Sequence, residues 1–580
     1  MEIAQTIRLT VISREEARVS TTPLTAFVRP NEDATVDLTT AASDPAGDVL
    51  LLGDLEVEPL GNASLDVDII GQRYLRVSGE TEDGTPGTLG TARYRVSDGS
   101  GVGNREAWGE VTLVLLPASE AIAPIAAPDT ATVRAGELID IPVLANDTSP
   151  AGAQLHIDPS TVVNEHDAGL AFATSTQLRY LAPEEPGTYT VTYGVFLLGY
   201  PTLTSTSTVT ITVTGREGNV APTAPTLEGR VQSGNTVSIP FDPFDTDVDG
   251  DVPVLDRIIG QPEAGSASIT PEGDAIMFVS EPGFQGQVRF NYRLRDNRGE
   301  TATGEVRVGV LDQQADPSPI TYSDYVQVQQ GDDNRIAITP LDNDIDPSGT
   351  ELTLTSVIPN ATEGTREYDA LRDRIYEVDL VSGRIVILGS DELGTSSFIY
   401  TVTNERGDTA MGLVVVKVVR EHVPSHPRIQ DTVLTHETLS QLEGGVDVIT
   451  DHVSWNAGDP SNLTMQLWRN EPGFTAEGHT ITGTPPRTAR IVPFEVSGGT
   501  FTGETMTSYG FLRIPGEETH TLSLKTAYRE LEVSEHGSID VDLTQAITIP
   551  AGHTLETIPA HTAPSGQREA ATCVVQGTIL

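Results

Sequence analysis

The chain has 580 residues, 37% of them apolar, with 54 glycines and 38 prolines, which excludes a disordered or collagen-like polymer and suits about three to six domains. Its 83 acidic and 35 basic side chains leave a formal charge of −48, a surface that repels nucleic acid and anionic lipid. A single cysteine, Cys573, excludes an internal disulfide and a multi-cysteine zinc site, and no run of about 18 apolar residues offers a membrane span.

The start, Met1-Glu-Ile-Ala-Gln-Thr6, lacks a secretory signal pattern. Residues 1–18 contain Thr6-Ile-Arg-Leu-Thr-Val-Ile12, which reads as the last strand of a preceding unit. An acidic turn then recurs along the chain. The first copy, 19–117, carries Asp44-Pro45-Ala46-Gly47 and, about fifty residues later, Tyr94-Arg-Val-Ser-Asp98-Gly99. The second, 118–215, carries Asn146-Asp147-Thr148-Ser149-Pro150-Ala151-Gly152. The third, 216–312, has Asp247-Val248-Asp249-Gly250 with Tyr292-Arg-Leu-Arg-Asp296-Asn-Arg-Gly299, and the fourth, 313–420, has Asn343-Asp344-Ile345-Asp346-Pro347-Ser348-Gly349 with Tyr400-Thr-Val-Thr-Asn404-Glu-Arg-Gly407. A diverged fifth copy, 421–515, keeps only Gly458-Asp459-Pro460. Residues 516–580 open a sixth with Leu531-Glu-Val533 and Ser538-Ile-Asp-Val541, and stop before its tyrosine strand. Steps between Pro45, Pro150, Gly250, Pro347 and Pro460 are 105, 100, 97 and 113 residues. These are tandem copies of one unit, and the register at both ends implies a piece of a longer polypeptide.

Within a unit, runs such as Thr236-Val-Ser-Ile-Pro-Phe241 and Gln287-Val-Arg-Phe-Asn-Tyr-Arg-Leu294 alternate with period two, and Pro/Gly clusters separate them. Seven short strands per hundred residues predict an all-β tandem array of immunoglobulin-like antiparallel sandwiches, with the tyrosine ring on the sixth strand filling each core.

These two linked motifs resemble the bacterial tandem immunoglobulin-like and cadherin-like repeats of large surface proteins. Residues 19–420 carry the resemblance, Asn343 to Gly349 and Tyr400 to Gly407 most fully. It implies a non-catalytic, extracellular spacer or adhesive segment of a bacterial cell-surface protein. The partners it implies are neighbouring repeats and a cell-surface or glycan ligand, with no nucleic acid and no membrane contact in this segment.

Asp245-Thr-Asp247-Val-Asp249-Gly250-Asp251, with Asp256 eleven residues after the first aspartate, imitates a calcium loop with carboxylates on alternate residues and a glycine at the bend. Flanking strands exclude a helix–loop–helix, and Asp and Gly also serve simply as turn formers. Asp342, Asp344 and Asp346 form the next candidate, and Asp44 with Asp48 a weaker one. The loops between the second and third strands and between the last two share one end of such a sandwich. Asp245, Asp247, Asp249, Asp251 and Asp296 are therefore expected near linker residues Glu217 and Asn219, facing the second copy, where Ca²⁺ would relieve their repulsion.

Other motifs carry less. Arg406-Gly407-Asp408 falls at a hairpin tip where glycine is needed for the turn. Nine histidines gather after residue 421, but His422 and His426 straddle Pro424, which denies them helical spacing for a metal. No Gly-x-Ser-x-Gly elbow or nucleophile–base spacing nominates an enzyme. The expected function is a rod of sandwiches in line, stiffened by calcium. The alternative is a glycan-binding or positioning region of a secreted enzyme, for which Trp108, Trp455 and Trp468 are the tryptophans on offer, and a third reading is a cytoplasmic or periplasmic scaffold.

Overall fold

Alternation becomes strand throughout the first five copies. In the third, Gly286–Arg295 turns Val288, Phe290, Tyr292 and Leu294 to one face, and Thr301–Leu311 adds Val306, Val308 and Val310 to the same core. These strands pair antiparallel, Val254–Ile259 extends them on one side, and Leu227–Gln232 pairs in parallel with Thr301–Leu311 on the other. A second layer of Thr236–Pro240, Ala275–Ser280 and Gly265–Ile269 closes the sandwich. The first strand runs parallel to the last, so the chain enters at one end and leaves at the other. The acidic turn and the final hairpin both lie at the entry end. This is the device that lets such units follow one another.

The structure, a computed structural model, describes residues 16–516 apart from 31, 118–121, 150–153, 167, 271–272, 297, 312–317, 347–349, 421–424, 435–437 and 451, together with 13, 523–524 and 539–548. The strand expected at Thr6–Ile12, Cys573 and most of the sixth copy lie outside the described residues. The chain divides into two compact units, Met1–Pro424 and Ser425–Leu580. No helix among the described residues is long and apolar enough to cross a membrane.

Unit 1 holds four sandwiches of identical topology, each with a four-stranded and a three-stranded sheet. Tyr94, Tyr292 and Tyr400 are fully buried, each paired across the hairpin with a glycine, Gly109, Gly304 and Gly412. A Cβ at Gly304 would lie 2.3 Å from the Tyr292 ring, so the small residue is what admits the aromatic one. The second copy has its tyrosine too, Tyr193, with Leu197 where the other copies place Asp98, Asp296 and Asn404.

The single-file arrangement expected for these copies is not what unit 1 shows. The first sandwich touches the third, through Gln287 Nε2 to Val49 O at 2.9 Å, and the fourth, through Lys417 Nζ to Glu32 Oε1 at 3.0 Å. Along Val414–Val419 the last strand of the fourth sandwich is buried on both faces, with Val415 as buried as Val414 and Val416.

In unit 2 the diverged fifth copy keeps the fold. Thr432–Val433, Thr505–Ile514, Arg490–Gly499 and Thr464–Leu467 form one sheet, and Val446–Asp447, Thr480–Gly483 and Phe474–Glu477 the other. Trp455 lies in its core, 4% exposed, with its indole N–H donating to Ser425 O at 3.0 Å. It offers no surface to a glycan, against the use suggested for it from sequence.

Candidate cation site at the acidic end of the third sandwich

The third acidic turn bends twice, with Asp245 at φ +55 and Gly250 at φ +79. Asp245 stays exposed on the outside of the first bend. Asp247 and Asp251 turn inward and meet Asp296 from the final hairpin. All three residues are buried, and one carboxylate oxygen from each lies within 4.8 Å of the others. Oxygens that share a Ca²⁺ at about 2.4 Å lie no farther apart than this. Among the described residues no other group of three His, Cys, Asp or Glu side chains converges so closely.

Each carboxylate is held differently. Asp296 Oδ1 accepts the N–H groups of Arg298, Gly299 and Glu300 at 2.9, 2.6 and 2.9 Å, and its Oδ2 accepts Asn219 Nδ2 at 2.7 Å. Asp251 is clasped by Arg134 of the second sandwich, Nε to Oδ1 at 2.5 Å and Nη2 to Oδ2 at 2.9 Å. Asp247 Oδ1 accepts the N–H of Asp249 at 2.8 Å, while its Oδ2 is buried with no hydrogen-bond partner. Asn219 Oδ1 is equally without one. Burial, with repulsion from Asp251, Asp249 and Asp296, raises the Asp247 pKa above its ordinary value. One arginine thus faces a site of three buried carboxylates, and two oxygens in it lack a donor.

The remaining expected ligands lie apart. Asp249 sits at the rim, where its Oδ2 accepts Val220 N–H at 2.6 Å and lies 3.2 Å from Arg134 Nη2. Asp256 does not reach the site, because it lies on a strand beside Arg293 and Arg295, the latter at 3.2 Å. Asn219 is brought in from the linker, whereas Glu217 is exposed. In the fourth copy the candidates disperse. Asp342 is exposed and accepts the Thr339 hydroxyl. Asp344 accepts the Tyr322 N–H at 2.9 Å and the Tyr400 hydroxyl at 3.0 Å, and burial pushes its pKa up to about 6. Asp346 takes Thr350 N–H at 2.9 Å and Asn404 Nδ2 at 3.3 Å, so the trio positions there hold one carboxylate and two neutral groups.

The first copy repeats the trio as Asp44, Asp48 and Asp98, and fills it. Arg105, from the same hairpin as Asp98, reaches them at 2.6, 3.0 and 2.8 Å, with all four side chains nearly sealed from solvent. Neither Arg105 nor Arg134 was identified from sequence. Scarcity was the available signal for Arg134, since the second copy has only two basic residues, Arg134 and Arg179.

Three segments, 121–214, 219–309 and 316–417, match the family described as the bacterial Ig domain. No curated protein matches the chain. Solved structures similar to it include the protocadherin gammaB4 extracellular domain, at 13% identity over 86% of this chain and 84% of that one, TM-score 0.16. Sidekick-1 immunoglobulin domains 1–5 match at 13% identity over 86% and 99%, TM-score 0.22. An endo-fucoidan hydrolase of glycoside hydrolase family 107 matches at 16% identity over 52% of this chain, which spans 46% of that enzyme, TM-score 0.17. Likeness at this level is no guide to ligand or activity. With the repeat period, the sandwich topology and the family match in agreement, residues 121–417 hold three tandem bacterial Ig domains within an array of immunoglobulin-like sandwiches.

Proposed function

We propose that the chain is a non-catalytic, extracellular spacer or adhesive segment of a larger bacterial surface protein, and that Ca²⁺ fastens its second sandwich to its third. The family match supports the first part, since bacterial Ig domains are typically non-catalytic and surface-displayed. One observation carries the second. Asp247 Oδ2 is buried without a donor beside Asp251 and Asp296, and an unpaired buried carboxylate is costly unless a cation meets it. Asp251 can coordinate an ion while it accepts from Arg134, because each carboxylate oxygen has two lone pairs. Asn219 Oδ1 supplies a neutral ligand from the linker. Arg134 and Asn219 both belong to the junction, so an ion here ties sandwich to linker to sandwich.

The test is thermal melting of the full chain with calcium and with chelator, read alongside hydrogen exchange of residues 245–251. At an affinity of roughly 10⁻⁴–10⁻³ M, 10 mM Ca²⁺ should stabilise the third sandwich by about 1.4–2.7 kcal/mol. Asp247→Asn should abolish that response. A response unchanged by the substitution, or matched by Mg²⁺, defeats the calcium reading and leaves the spacer reading standing.

A further inference from the structure

Leu51 is fully buried, yet it does not belong to the core of its own sandwich, where Leu50 and Leu52 pack. What covers it is the outer face of the third sandwich. There Arg230, Gly309 and Gln287 stand in one row across three adjacent strands, with Arg307 and Arg289 in the next row. The segment Gly47–Leu51 lies across both rows. Arg230 Nε donates to Leu50 O at 2.8 Å, Gln287 exchanges hydrogen bonds with Val49 N–H at 3.0 Å and Val49 O at 2.9 Å, and Arg307 Nη1 donates to Gly47 O at 3.1 Å. Arg289 Nη2 lies 2.9 Å from Asp48 Oδ1, and the Asp48 side chain is sealed from solvent. A Cβ at Gly309 would come within 3.0 Å of the Leu51 side chain. A glycine in mid-strand, on the face away from the core, marks a place where another chain segment approaches closely.

The corresponding segment of the third sandwich meets the second, at the end of the strand Asp129–Arg134 rather than across a sheet face. Gly250 O accepts the Arg134 N–H at 3.0 Å, and Asp251, the counterpart of Asp48, meets the Arg134 guanidinium. The acidic end of a sandwich is thus a plug, and arginine beside a small residue or exposed backbone is its socket. In the first sandwich the plug is seated on a partner 180–260 residues away in sequence. The fourth sandwich adds a second clasp, with Lys417 on Glu32 and the Tyr325 hydroxyl on Asp33 O at 2.8 Å. Every one of these crossing bonds between the first sandwich and the third or fourth has a side chain at one end, and among the described residues no strand ladder joins them. Inside a sandwich, by contrast, ten backbone pairs link Gly286–Arg295 to Thr301–Leu311.

We propose that the outer face of the third sandwich is an intrachain receptor for the acidic end of the first, a latch that load on the chain opens before any sandwich unfolds. Its geometry is independent of calcium and of where the protein resides; only its use as a reserve of length rests on the spacer reading. A spacer so built lengthens under tension and recovers when tension falls, because opening breaks side-chain contacts and leaves every core intact.

The experiment uses the full chain with Cys573→Ser, spin-labelled at Glu82→Cys and Glu263→Cys, both exposed. Double electron–electron resonance should show one narrow distance distribution. Gly309→Val should broaden and lengthen it, and valine at this strand position leaves the third sandwich folded, which its melting checks. Leu51→Asp should act alike from the other side, since Leu51 lies outside its own core. In single-molecule pulling, the latched chain should lengthen once at low force before the first sandwich rip, and Gly309→Val should lack that event. A broad distribution in the parent, or a narrow one retained in both variants, overturns the latch. So does dipolar coupling between mixed singly labelled chains, which would place the plug in the socket of a second copy.

Discussion

The first and third sandwiches bury the same three carboxylates at the same end and neutralise them differently. In the first, Arg105 comes from the adjoining hairpin and meets Asp44, Asp48 and Asp98 together. In the third, Arg134 comes from another sandwich, engages Asp251 and the rim residue Asp249, and leaves Asp247 Oδ2 without a donor. The titration of the paired positions diverges to match. Burial alone would raise Asp44, but the Arg105 guanidinium and the N–H groups of Ala46 and Asp48 hold it below the usual carboxylate range. Burial and its acidic neighbours push Asp247 the other way. A turn and a hairpin that bring three aspartates together therefore create a demand for positive charge, and their surroundings decide whether an arginine of the same sandwich or of a neighbouring one answers it. In the fourth sandwich the demand itself is gone, since Thr350 and Asn404 replace two of the three.

Removing the arginine of the same sandwich should break this contrast most severely. Arg105→Met leaves Asp44 and Asp98 buried and uncompensated, with only Asp48 still met by Arg289, and should destabilise the first sandwich by about 3–5 kcal/mol. Added Ca²⁺ should restore part of the loss, which hydrogen exchange over residues 44–52 would register as calcium-dependent protection absent from the parent. Arg105→Lys should fall between, since one ammonium cannot span three carboxylates.

A smaller effect is expected at the borrowed arginine. Arg134→Met frees Asp251 and should cost about 1–3 kcal/mol in chelator, measured as earlier melting of the third sandwich. It should also enlarge the calcium-induced shift there, because the ion then meets all three carboxylates without a competitor. A reduced shift would mean that Arg134 orients the site for the ion.

The smallest expected effect is a pH response of opposite sign in the two sandwiches. Asp44 has a folded pKa below its unfolded value of 3.8, so its contribution is complete above that value and is lost as pH falls through the folded pKa. Asp247 is raised, so in chelator the folded third sandwich takes up its proton first and gains stability as pH falls towards 3.8. Asp344, pushed up to about 6, should give the fourth sandwich the same gain between about pH 6 and 4, and Asp344→Asn should flatten it. Local exchange rates at pH 6, 5 and 4 would separate the three.

Much of the fold was legible because it is written at short range. Period-two runs became strands, the tyrosines took the core, and the placing of Asp247, Asp251 and Asp296 with Asn219 at the junction followed from which loops share an end of the sandwich. A ligand count along the loop was a poorer guide. It enrolled Asp245, which points outward, and Asp256, which faces arginines on a strand, because spacing taken from a helical loop does not transfer to a turn between strands. The tyrosine of the second copy went unmatched because Leu197 stands where the motif has its acid or amide.

The sequence by itself determined the repeat, the sandwich and the concentration of acid at one end of the third unit, since alternation, turn residues and the hundred-residue period are all local or periodic. Tertiary structure decided how that acid is met. The pairs Arg105–Asp44, Arg134–Asp251 and Arg289–Asp48 join residues 61, 117 and 241 apart, and a pair at such separation imposes no spacing that a linear reading can detect. Leu51 shows the same limit from the apolar side, for its neighbours Leu50 and Leu52 serve their own core while it fits a glycine in another sandwich. Only the folded chain brings that glycine and that leucine together.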